Sequence, residues 1–268
     1  TLNWDFAGQT TTPSDAKILN KLTVGQFISE ADVIINLPKF KTHGLTKMTG
    51  AVKNMFGAVP GLLKAEYHMK MPQIDNFSDA LLDVALATKP ELTIVDGITA
   101  MEGEGPSSGD QYQLNRLVIG ANPLAVDVVM ADIVGIESEA VATIEAAKRR
   151  DLTYHIDQIE YLGTETKLTE FKTPTIDSSA QLLDRRMPSF LAQWIRKLVK
   201  PKPVFDDKKC IQCGACITGC PPQVISKTET GVEADLDGWI RCFCCQEICP
   251  EEAVDIHRPL LAKLLFVK

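Results

Sequence analysis

The sequence predicts an α/β protein, with a mostly parallel or mixed sheet and flanking helices, followed by a small C-terminal module of different character. Three observations predict it. Short β-branched apolar runs alternate with helical stretches between residues 31 and 150. All eight cysteines fall between residues 210 and 249 of the 268-residue chain. A basic, proline-closed segment, "RRMPSFLAQWIRKLVKPK", separates the two parts.

The elements follow in order. "ADVIINLP" (31 to 38) is a β-branched run with a proline stop, which predicts a buried strand. "LTKMTGAVKNMF" repeats apolar residues at Met48, Val52 and Met55/Phe56, which is helical spacing. "PQIDNFSDALLDVALATK" (72 to 89) predicts a second amphipathic helix. "ELTIVDG" (91 to 97) predicts another buried strand, followed by the loop "ITAMEGEGPSSGD". "RLVIGANPLAVDVVMADIVG" predicts a strand, then Asn122 as a helix N-cap with Pro123 at the first helical position. "SEAVATIEAAKRR" continues as helix, and "IEYLGTETKLTEFKTP" predicts strand and turn.

This alternation implies crossover units with helices on the sheet faces. Residues 1 to 185 are therefore expected to form one α/β domain, and 186 to 203 a basic helix and linker ending at Pro201 and Pro203. Residues 204 to 268 are too few to bury much apolar core, so this module needs metal or cross-links to fold.

Composition narrows the function. A net charge of −7 argues against a general nucleic-acid binder, which needs a basic footprint to displace counterions from phosphate. No apolar run approaches the roughly 18 residues of a membrane span. With no charged-then-apolar leader, the cytoplasm is the expected compartment. The chain opens on Thr1 rather than Met, which reads as a fragment of a longer protein.

The cysteine crowding suits metal ligation better than a disulfide framework. Residues 210 to 221, "CIQCGACITGCP", set Cys210, Cys213, Cys216 and Cys220 in the spacing C-x2-C-x2-C-x3-C-P. A cubane iron–sulfur cluster needs thiolates on one side of a tight loop. Two-residue gaps, with Gly214 allowing unusual dihedrals, put three sulfurs around one cluster, and the fourth serves the other cluster of a pair. A zinc ribbon would show two separate C-x2-C pairs instead.

This segment resembles the bacterial two-cluster ferredoxin family over residues 204 to 257, so the module is expected to be a ferredoxin-like α+β domain. The resemblance implies that Cys210, Cys213, Cys216 and Cys249 hold one [4Fe-4S] cluster and that Cys220 reaches the second. The second motif, "GWIRCFCCQEICP", steps back from Cys249 to Cys245, Cys242 and then Trp239, where the family has its first ligand. Eight cysteines match the eight ligands of two cubanes, and Cys244 is the sulfur left over. One reading has Cys220, Cys242, Cys244 and Cys245 holding the second cluster. Two others keep three thiolates, with one iron open or missing, or leave Cys244 as a packed small hydrophobe.

In open parallel sheets, ligands bind at the carboxyl ends of strands. The first strand end, "PKFKTHG", offers Lys39, Lys41, Thr42 and His43, and the next helix adds Lys53 and Asn54. Asp96 ends the second strand, with Glu102 and Glu104 in the loop beyond it, and Asp127 lies one turn into the helix after Asn122. Converging on one rim, these residues would form a pocket for a small anionic or metal-bridged molecule. Taken singly, each also has a structural explanation, from solvated lysines to an acid favoured by a helix dipole. There is no dinucleotide fingerprint, no Walker loop and no nucleophile elbow.

"LPKFKTHGLTKMTGAVKNMFGAVPG" (37 to 61), "VDGITAMEGEGPSSG" (95 to 109) and "ANPLAVDVV" (121 to 129) together resemble the domain of unknown function 362, often fused to a C-terminal ferredoxin module. The resemblance implies a mixed α/β fold, a cytoplasmic iron–sulfur protein and no settled reaction. It also implies further strand and helix sequence upstream of Thr1. Within the basic segment, Phe190, Leu191, Trp194, Ile195 and Leu198 share one helical face, which suits a packed linker helix, aided by the apolar tail 260 to 267, or a membrane-surface helix.

The expectation is a cytoplasmic iron–sulfur protein passing single electrons through two [4Fe-4S] clusters, the second atypical or three-iron. Electrons would go to or from a small anionic substrate on the α/β domain, making the chain an iron–sulfur oxidoreductase. In the rival reading it is a non-catalytic carrier or docking module for a redox partner or a cluster-receiving protein.

Overall fold

A computed structural model describes residues 7–174 and 202–257, apart from positions 72, 108, 153, 164–166, 169, 230 and 241. Of the expected basic helix and linker at 186 to 203, residues 186 to 201 lie outside the described residues, as does the apolar tail at 260 to 267, while Lys202 and Pro203 are in a strand. The chain divides into two units, Thr1–Thr173 and Pro174–Lys268.

In the first unit, β1 (Gly8–Thr11) and β2 (Leu22–Gly25) form an antiparallel pair, followed by the single turn α1 (Gln26–Ser29). The main sheet begins with β3 (Ile35–Asn36) and β4 (Lys39–His43), which Pro38 separates because it cannot donate to a ladder. β5 (Lys47–Thr49) turns back antiparallel on β4 through Lys47, whose φ is 76°. The chain from 45 to 56 is therefore not one helix. It is a strand, then the short α2 (Ala51–Asn54), then a 3-10 turn at Met55–Ala58. α3 (Gly61–Lys70) was not predicted by the sequence, whereas α4 (Ile74–Thr88) fills the expected span.

β6 (Leu92–Glu102) runs parallel to β3 and β4, with Ile35 opposite Leu92 and Lys39 opposite Asp96. β7 (Asp110–Gly120) is antiparallel to β6, from Thr93 opposite Gly120 to Glu102 opposite Asp110. The sheet is thus mixed. The expected loop after residue 97 is strand as far as Glu102, and only the Gly, Pro and Ser cluster from 103 to 109 turns. α5 (Pro123–Ile133) starts as predicted, with the Asn122 side chain accepting the Leu124 and Ala125 N–H groups. The next helical stretch is a 3-10 turn at Ser138–Ala140 followed by α6 (Ala142–Lys148). Among the described residues between 159 and 174 there is no strand.

Two apolar cores hold the unit together. One joins α4 to the segment before it through Phe56, Phe77, Leu81 and Val84, and the other packs α5 on the sheet through Phe40, Val95, Val128 and Met130. Asp83, fully buried on α4, accepts the backbone N–H groups of Lys17, Ile18 and Leu19 and pairs with Arg150 at 2.7 Å. Four donors offset the cost of burying that carboxylate, and they fix the 17–19 segment to the helix.

The other sheet face is not covered by helices among the described residues. Ile35, Leu37, Ile98, Leu117 and Ile119 are each 49–65% exposed there.

The second unit pairs β8 (Lys202–Phe205) with β11 (Val254–His257) and β9 (Ile225–Lys227) with β10 (Val232–Ala234), all antiparallel. One-turn helices α7 (Ala215–Thr218) and α8 (Cys244–Glu247) follow its two cysteine loops. Its core is small, and Cys216, Cys220 and Cys245 are part of it alongside Ile225, Val232 and Val254.

Candidate iron–sulfur centres

In the first loop, Gln212 and Gly214 take left-handed conformations, with φ of 53° and 79°. The backbone reverses there, so sulfurs from the loop and from the first turn of α7 face the same way. Cys210, Cys213, Cys216 and, from the far end of the module, Cys249 line one pocket walled by Phe205 and Val254. Burial pushes the Cys216 thiol up, and the neighbouring Cys210, Cys249 and Cys213 add to it. The Ala253 N–H lies 3.3 Å from the Cys249 sulfur, the kind of contact that stabilises a ligating thiolate.

The second loop repeats the first with changed residues. Counting from the start of each helix, Trp239 stands where Cys210 does, Cys242 where Cys213 does, Phe243 where Gly214 does, and Cys244 where Ala215 does. Phe243 keeps the left-handed turn, with φ of 60°, although it is a bulky residue for which that conformation is costly. Trp239 and Phe243 are both buried and meet edge to face, so each helps to hold the other.

Four sulfurs gather in this second region. Burial raises the Cys220 thiol, with Cys242 beside it. Burial also pushes Cys245 up to about 12, with Cys242, Cys220 and Cys216 contributing. Cys244 is hydrogen-bonded to the Cys242 sulfur, which raises Cys244 and lowers Cys242. The Cys244 sulfur also lies 3.9 Å from the Cys242 carbonyl. The left-handed turn at Phe243 thus brings Cys244 back over Cys242, although neighbouring side chains usually diverge. All the donors in both regions are thiols, the chemistry that Fe–S clusters take. Among the described residues, no group of three or more His, Cys, Asp or Glu is arranged for a single metal ion.

The structure does not gather the candidates of the α/β domain into one pocket. Lys39 and Asp96 pair at 2.8 Å on the open sheet face, and the Lys39 ammonium with the Ile98 N–H holds Asp96 below its ordinary value. Lys41 follows on the same strand, opposite Thr49 and Met101. His43 is fully buried, its Nδ1 accepting the Leu45 and Thr46 N–H groups, so it shapes the turn between β4 and β5. Asp127 is buried and accepts the N–H groups of Ala51 and Val52, capping α2. Lys53 sits on α2, and Asn54 at its end donates to Asn36 at 2.8 Å. Glu102 is buried at the end of β6, accepting the Lys172 N–H at 2.9 Å and facing its ammonium at 3.3 Å.

The expected rim is closed for a visible reason. The 103–109 loop folds back on the carboxyl end of β4, with Gly44 N–H donating to Gly105 and Gly105 N–H to the Thr42 hydroxyl. The approach is so close that a Cβ on residue 105 would lie 2.2 Å from the Thr42 carbonyl oxygen.

The fold and its cysteine loops define a class, an α/β domain joined to a ferredoxin-type iron–sulfur module. Comparison with known proteins makes it specific. Residues 3–132 match the family described as "Domain of unknown function (DUF362)", and residues 202–250 match the "4Fe-4S dicluster domain", so this chain is a DUF362 domain fused to a ferredoxin-type module. The thylakoid-associated protein sll1697 of Synechocystis sp. is 40% identical over 140 residues, covering 52% of this chain and 44% of that relative. The chain thus matches less than half the length of that protein.

The pyruvate synthase subunit PorD of Methanothermobacter marburgensis is 40% identical over 57 residues, 21% of this chain and 67% of the relative. A ferredoxin of Pyrobaculum islandicum is 37% identical over 54 residues, 19% of this chain and 49% of the relative. These likenesses support iron–sulfur electron transfer as the work of the module. Among the described residues, no helix is long and apolar enough to cross a membrane.

Proposed function

We propose that this chain relays single electrons through two [4Fe-4S] clusters to or from a redox protein partner, in the cytoplasm. In this reading Cys210, Cys213, Cys216 and Cys249 hold the first cluster, and Cys220, Cys242, Cys244 and Cys245 hold the second. When bound, such clusters accept or release one electron at a time, at potentials that span roughly −700 to +450 mV. The protein's own residues fix the sulfurs. Trp239 and Phe243 cover the second region with apolar rings, while Cys213 leaves the first open to solvent.

One observation carries the reading. Cys244 is bent onto Cys242 beside Cys245, in the loop whose usual first ligand is replaced by a buried tryptophan. The likeness to a pyruvate synthase subunit supports a larger oxidoreductase as the partner. The carrier reading is preferred to catalysis at the β4 rim, because His43, Asp127 and Glu102 are engaged in holding backbone. Anaerobic reconstitution of wild type and Cys244→Ala, with iron and sulfide counted and EPR recorded, tests it. Equal iron in the two proteins would remove Cys244 from the ligand set.

A further inference from the structure

We propose that the α/β unit carries a binding site for a small carboxylic acid with an apolar body, in a cavity between α4 and α5 at the amino-terminal end of the parallel strands. This proposal is independent of the iron–sulfur reading and of the closed rim at the opposite strand ends.

The cavity measures about 490 Å³. Its wall is aliphatic, formed by Val52, Leu82, Ala85, Leu86, Leu124 and Leu152. Its polar groups are few, namely Lys89, Arg150, Asn122 and Asp15. An apolar chamber with a small number of convergent polar groups is the usual form of a small-molecule site.

The polar groups are not equivalent. Asn122 is occupied in capping α5 and donates to the Tyr154 hydroxyl at 3.1 Å. Arg150 is held rigid, with Nη1 on Asp83 and Nη2 on the Asp15 carbonyl, both at 2.7 Å. A guanidinium has five N–H groups, so donors remain for a ligand. Asp83 already balances its charge.

Lys89 is different. It is exposed, and no described carboxylate pairs with it. It ends α4 in the left-handed conformation, with φ of 44°, at a position where glycine is the unstrained choice. A side chain is thus kept at a strained position on the mouth of an aliphatic cavity, and that side chain is a cation. A carboxylate head on Lys89, reached also by Arg150, with the carbon chain over Leu82 and Leu86, uses every part of the cavity. Arg150 is already balanced by Asp83, so Lys89 supplies the one uncompensated positive charge among the described lining residues, which suits one carboxylate better than a multiply charged phosphate.

The geometry allows a clean test. Lys89→Gly removes the ammonium and relieves the backbone, so the fold is kept. Leu86→Trp or, as a second filler, Leu152→Trp occupies the chamber. Leu117→Asp marks the open sheet face, where an amphiphile could also adsorb. Octanoate is titrated into each protein by calorimetry, with circular dichroism confirming the fold.

Saturable binding that weakens about tenfold in Lys89→Gly, disappears in either tryptophan variant and survives in Leu117→Asp supports the site. Absence of saturable binding, or loss in Leu117→Asp alone, overturns it. Binding lost in the tryptophan variants but unchanged in Lys89→Gly overturns the carboxylate assignment.

Discussion

Trp239 and Phe243 pack edge to face, with ring centroids 5.8 Å apart and planes at 89°. They stand where the first loop has Cys210 and Gly214, a ligand and the residue that permits the reversal. The second loop therefore keeps the shape of the first by a different physical means. Glycine allows the left-handed turn at no steric cost, whereas Phe243 is held in it by packing on the indole. In the proposed ligand set, Cys244, the first residue of the following helix, takes the place of a sulfur at position 239.

Removing that sulfur is the first test. Cys244→Ala is expected to lower bound iron by about half, with the first cluster's signal intact, because Cys210, Cys213, Cys216 and Cys249 are untouched. Iron analysis and EPR on the anaerobic protein check this.

Restoring the missing ligand is the converse. Trp239→Cys is expected to make Cys244 dispensable, so that Cys244→Ala in this background keeps its iron. The same change removes a buried indole and should cost about 3–5 kcal/mol in stability. Iron content and a denaturation curve read the two effects separately.

The α2 cap gives a steric prediction. A Cβ on residue 50 would lie 2.1 Å from the Asp127 Oδ1 atom, so Gly50→Ala should destabilise the α/β unit by about 1–3 kcal/mol. Much of that loss should vanish in the Gly50→Ala/Asp127→Ala double variant relative to Asp127→Ala, by urea denaturation at neutral pH.

Asp127 also gives a pH prediction. Burial raises its pKa from 3.8 to about 7, against the Ala51 and Val52 N–H groups, which favour the carboxylate. Between those values the folded state keeps a proton that the unfolded chain has released, so stability falls as pH rises from about 4 to about 7 and then levels off. The slope is at most about 1.4 kcal/mol per pH unit. Measured against Asp127→Asn, the stability of the wild type should decline across this window. A rise would show that the N–H groups win.

The helix of residues 74 to 88, the Asn122 cap and the fusion to a cysteine module were legible in sequence, because each depends on local spacing. The β4–β5 hairpin was not, since Met48, Val52 and Phe56 keep helical spacing across a turn set by Lys47 and a break at Gly50. The antiparallel extension of β6 and β7 was hidden by the glycines that follow it. Of the candidate site residues, His43 and Asp127 carry the right chemistry for a pocket, and their burial beneath backbone donors depends on contacts such as that from Asp127 to Ala51 across 76 positions. The correspondence of the two cysteine loops was available in the chain itself, by setting Gly214 against Phe243.

The central claim is that eight thiols hold two clusters, one of them through Cys244. Mössbauer spectroscopy with iron and sulfide analysis on anaerobically reconstituted protein tests it most directly. About eight iron and eight sulfide per chain, all in cubane form, is the predicted result. About four iron, a three-iron signal that persists in excess iron, or zinc in place of iron would contradict it.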